Sequence, residues 1–145
     1  MTVLSSDNYP SIRAALDITM TADMLPDATI ALDLYKGRAD REIVTRIPTA
    51  ETLVTPDGDE EVSSDGQRVL LAAILLCASY IAPAIPAITA QTFGAAIYER
   101  SVDWNQRSAD LKMQAETEIQ TVILNQAVAT TATTSRYTMF TVASV

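Results

Sequence analysis

The stretch from Val69 to Ile88, "VLLAAILLCASYIAPAIPAI", decides how this chain folds. It carries no charge, and none follows before Glu99, so 30 consecutive uncharged residues run from Val69 to Tyr98 in a chain of 145. Such a run either crosses a membrane or forms the centre of a soluble core. Two prolines separate these readings. Pro83 has no backbone N–H to donate and disfavours helical geometry at Ala82, which ends an unbroken helix at the Ala82–Pro83 boundary; Pro86 cuts the run again. From Val69 to Ala82 the helix spans roughly 21 Å. A hydrocarbon core of about 30 Å needs about 20 helical residues. The run therefore reads as a buried core helix followed by a turn.

The segments on either side support a bundle. Upstream, "TPDGDEEVSSDGQ" collects Pro, Gly, Ser and five acids, which is loop composition, and ends in Ser64-Asp65-Gly66-Gln67, a capping-box pattern that opens the central helix. Before that loop, Pro26 and Asp27 open a helix that Pro48 ends near Ile47. Ala28, Leu32, Tyr35, Ala39, Ile43 and Ile47 recur along it every three or four residues, widened by Ile30, Leu34 and Val44. Its acids Asp27 and Asp33 come early and its bases Arg38, Arg41 and Arg46 late, as the helix dipole favours. Gly37 is its weak point, at a cost of about 1 kcal/mol against Ala. Nearer the N-terminus, "NYPSIRAALDI" reads as a short helix with Pro10 in its first turn and Ile12, Ala15 and Leu16 on one face.

Downstream of Pro86, "AITAQTFGAAIYERSV" reads as a turn and then extended chain around Ile97. Ser101 or Asp103 then caps a long amphipathic helix whose apolar line is Trp104, Ser108, Leu111, Ala115, Ile119 and Val122, with an expected end near Gln126. After a Thr- and Ala-rich linker, "SRYTMFTVASV" is rich in β-branched and aromatic residues and reads as a strand. That strand either pairs locally with the segment near Ile97 or adds to a neighbour's sheet edge. The expected fold is mainly α: a helical bundle over residues 1–128 with a short extended segment, then a linker and strand-like arm over 129–145.

Composition narrows the function. Ten Lys and Arg against 18 Asp and Glu give a net charge of −8, which disfavours binding driven by phosphate contacts. A single cysteine, Cys77, allows no intramolecular disulfide and fits a reducing compartment. The N-terminal "MTVLSSDNYP" lacks a basic segment and an apolar segment, so no secretory signal is expected. With no His and one Cys, a His-dependent triad, a His metal site and a thiolate cluster are all excluded.

The carboxylates Asp57, Asp59, Glu60 and Glu61 are the remaining candidates for acid–base chemistry, but they lie in a solvated loop that offers nothing to raise a pKa. The loop also begins like a calcium-binding loop, with Asp57, Asp59 and Glu61 at positions one, three and five. Val62 then stands where Gly is required, and Arg68 where the bidentate Glu belongs. The four glycines are too scattered for a phosphate loop. Cys77 reads as a small buried hydrophobe and Trp104 as a core anchor. No enzyme activity, cofactor or metal is expected.

The order of "LPDATIALDLYKGRADREIVTRIP", an acidic loop, "QRVLLAAILLCASYIAPAIP", "GAAIYERSVDW" and "SADLKMQAETEIQTVI" resembles the head-to-tail connector (adaptor) proteins of tailed bacteriophages. The resemblance covers Tyr9 to about Gln126 and lies in helix order and composition. It implies a non-enzymatic virion protein of the phage neck, assembled in the host cytoplasm as a ring, commonly of twelve subunits. The implied partners are a portal protein above and a stopper or tail protein below, with DNA passing through the channel without specific binding. Asp57, Asp59, Glu60 and Glu61 would then face the channel, where negative charge lets DNA slide. Arg136, Tyr137, Met139, Phe140 and Val142 match by position the C-terminal extension that docks on the portal or a neighbouring subunit. The competing expectation, resting on the uncharged run alone, is a small membrane-acting phage protein of holin type.

Overall fold

A computed structural model of the chain describes residues 2–58, 60–93 and 102–143, with side chains described at 2–58, 60–89 and 102–129. The order is α1 (Tyr9–Leu16), α2 (Asp27–Ile30), α3 (Arg38–Arg46), α4 (Ala50–Val54), α5 (Ser64–Ile81), α6 (Ile85–Phe93) and α7 (Trp104–Ala143). The described residues contain no β-strand.

The α5 part of the uncharged run is the centre of the molecule. Ala72 to Ser79 of α5 are all buried, and α1, α3, α4 and α7 pack around that helix. Leu76, Ile81, Ile119 and Val122 are among the side chains fully removed from solvent; each contributes on the order of 1.5–3 kcal/mol of apolar transfer free energy. Helix α7 supplies the expected line: Trp104, Leu111, Ala115, Ile119 and Val122 are buried, and the Ser108 hydroxyl donates to the Ser79 carbonyl at 2.6 Å. Asp103 caps this helix, accepting from the Gln106 N–H at 3.1 Å.

Helix α5 ends at Ile81 with Ala82 as its cap, at the boundary expected from Pro83, but Pro86 does not cut the run as expected. Pro83 lies in a single 3-10 turn, Ala82–Ala84, and Pro86 is the second residue of α6, so the chain stays helical through both. Proline costs little in the first turn of a helix, where its missing N–H has no intrahelical partner. The turn expected after Pro86 is therefore replaced by helix to Phe93. The extended segment expected around Ile97 lies outside the described residues.

Three further boundaries differ. The helix expected from Pro26 to Ile47 opens and closes as expected but breaks at Leu32 (ψ 143°) and resumes through a π turn, Asp33–Gly37. Tyr35, Ala39, Ile43 and Ile47 are buried, whereas Ala28 and Leu32, upstream of or at the break, are exposed. The α5 cap is Ser63 rather than Ser64, its hydroxyl accepting from the Gly66 N–H at 3.1 Å. Helix α7 does not end near Gln126; its backbone is helical to Ala143, where a linker and strand-like arm were expected. Extending an established helix adds a hydrogen bond for each residue fixed, which outweighs the few tenths of a kcal/mol that each Thr costs.

Helix α4 has no counterpart in the sequence reading, and it explains Gly66. A Cβ at that position would lie 2.2 Å from the Leu53 carbonyl oxygen, so only glycine lets the start of α5 approach the backbone of α4.

Candidate interaction surface

Two polar clusters and one polar belt fix the helices. At the N-terminus, the buried Asp40 carboxylate accepts from the N–H groups of Val3 (3.1 Å) and Leu4 (2.9 Å) through Oδ1, and from Lys36 Nζ (3.3 Å) through Oδ2. On the next face of α3, Arg38, Glu42 and Arg46 are spaced one turn apart. Arg38 lies over the Tyr80 ring, 4.1 Å from its centroid, and the Tyr80 hydroxyl donates to Glu42. Arg46 donates to Glu116 of α7 at 2.5 Å. Burial, reinforced by Glu42, raises the Tyr80 phenol pKa, so this hydroxyl stays a donor at neutral pH.

The belt sets the register of α5 against α7. Arg68 donates to Glu118 at 3.0 Å, and Asp65 accepts from the Asn125 and Gln126 side-chain amides at 2.9 and 3.1 Å. With Ser108 on Ser79 at the other end, the two helices are antiparallel. The start of α5 lies level with Asn125 and Gln126, and α7 continues past it to Ala143.

These clusters bind the protein to itself, and among the described residues every buried side-chain N or O has a partner. Cys77 is fully buried with its thiol pushed up to about 12 by burial, the Asp40 charge adding and Lys36 opposing; it is a core residue without nucleophilic character at neutral pH. Trp104 is buried as the core anchor expected.

Asp57, Glu60 and Glu61 are exposed in the loop between α4 and α5, and Asp59 lies outside the described residues. Among the described residues no three His, Cys, Asp or Glu side chains gather as a metal site. Arg136, Tyr137, Met139, Phe140 and Val142 belong to the helical backbone of α7, with their side chains outside the described residues.

Sequence reading missed the outer face of α7. Met113, Leu124 and Val128 are 68%, 63% and 67% exposed. At about 100° per residue they cluster within about 60° of one another, roughly opposite the buried Leu111–Val122 line. The signal was available: these are apolar residues at helical spacing that the core-facing line leaves out. Comparison with family models, with curated proteins and with solved structures yields no match for this chain.

Proposed function

We propose that this protein is a head-to-tail adaptor of a tailed bacteriophage, a virion structural protein without enzymatic activity. It forms a ring, a dodecamer by resemblance, beneath the portal in the neck, with a stopper or tail protein on its far side. The observation that carries the reading is the unequal length of the two central helices. Helix α5 spends its apolar run inside one acidic body, while α7 continues beyond it as an extension suited to reach a neighbour. The exposed acids of the α4–α5 loop suit a channel wall that DNA passes without adhering.

In this reading the arm over residues 129–145, with Arg136, Tyr137, Met139, Phe140 and Val142, docks on the portal or on the adjacent subunit. Its helical backbone favours docking by a helix over addition of a strand. The test is to mix the full chain, and a chain ended after Ala129, with a portal ring and image the products by electron microscopy. A ring of added density beneath the portal is expected with the full chain alone. Equal docking by both chains defeats the arm, and no docking by either defeats the adaptor reading.

One observation favours a second reading. The helical run Ser64–Thr89 is 26 residues long, and its most apolar 18-residue window has a mean hydropathy of 2.2, enough in length and composition to cross a membrane. A membrane-acting protein of holin type would use it so. The burial of 67% of its most apolar window within the bundle supports the core role instead. Recovery of the chain in detergent-free buffer as a folded helical protein sinks the membrane reading, and strict partition into membranes sinks the adaptor.

A further inference from the structure

We draw no further inference here: the strongest candidate, the exposed apolar outer face of α7 around Met113, Leu124 and Val128, carries nothing, because nothing in the structure shows what covers it.

Discussion

The Asp40 carboxylate accepts the backbone N–H of Leu4 at 2.9 Å, tying the N-terminal segment to α3 across 36 residues of sequence. The same oxygen takes the Val3 N–H and the other takes Lys36, so one buried side chain satisfies three donors. Asp40→Ala leaves two amides and an ammonium without their partner. It is expected to destabilise the protein by about 3–5 kcal/mol, read from the urea midpoint. Asp40→Asn retains an acceptor for the amides and is expected to cost less than half as much.

Gly66 and Gly37 offer opposite outcomes for one substitution. At Gly66 an added Cβ meets the Leu53 carbonyl at 2.2 Å, a backbone atom that cannot step aside. Gly66→Ala is expected to destabilise by about 1–3 kcal/mol despite Ala's higher helix propensity. At Gly37 the obstruction is the Asp33 carboxylate, also at 2.2 Å, an exposed side chain that can turn aside at the cost of its solvent-exposed ion pair with Arg41. Gly37→Ala is expected to be neutral or to stabilise by up to about 1 kcal/mol, and thermal melts of the two variants compare them directly.

Cys77 makes the fold sensitive to alkali. Burial raises its thiol from an ordinary 9.0 to about 12, so above pH 9 the unfolded chain releases a proton that the folded chain retains. Stability from this group is complete below about pH 9 and declines toward pH 12, with a slope of up to about 1.4 kcal/mol per pH unit. Tyr80, raised chiefly by burial, acts in the same direction above its own ordinary value of 10.0. Urea unfolding at pH 8, 9 and 10 is expected to show a shallower loss in Cys77→Ala than in the parent. In the native protein at pH 8, thiol reagents are expected to label Cys77 only at the rate of opening.

Ending the chain after Ala129 is expected to leave the bundle's stability within about 1 kcal/mol of the parent. Among the described residues the last packing contacts of α7 are Val122, Ile123 and the Asp65 contacts of Asn125 and Gln126, and residues 127–129 are exposed. Chemical denaturation of the two chains decides this, and a loss of several kcal/mol would show that the extension folds back onto the body.

Much of the architecture is local and therefore legible in the chain. Pro10, Pro26 and Pro48 mark helix ends, Asp103 caps α7, and the three-to-four spacing from Trp104 to Val122 names the residues that reach the core. These signals act within a turn or two of helix, so no distant partner is needed to read them. Pro83 and Pro86 were harder, because a proline ends one helix or begins the next according to whether the following turn is used, and packing decides that. The break at Leu32 and the close contact of Gly66 with Leu53 likewise depend on chain brought from elsewhere.

For function, the sequence by itself established an acidic, mainly helical protein with no His and a single Cys, and with an apolar run broken by proline. Only the tertiary structure decided which apolar residues are covered. Val122 and Leu124 are two positions apart on one helix, yet one is fully buried and the other 63% exposed. Helical geometry puts them on opposite sides of α7, and the antiparallel packing of α5, which sets Asp65 beside Asn125 and Gln126, decides which side is covered. Which face meets a neighbouring helix is a long-range relation that no local pattern of residues encodes.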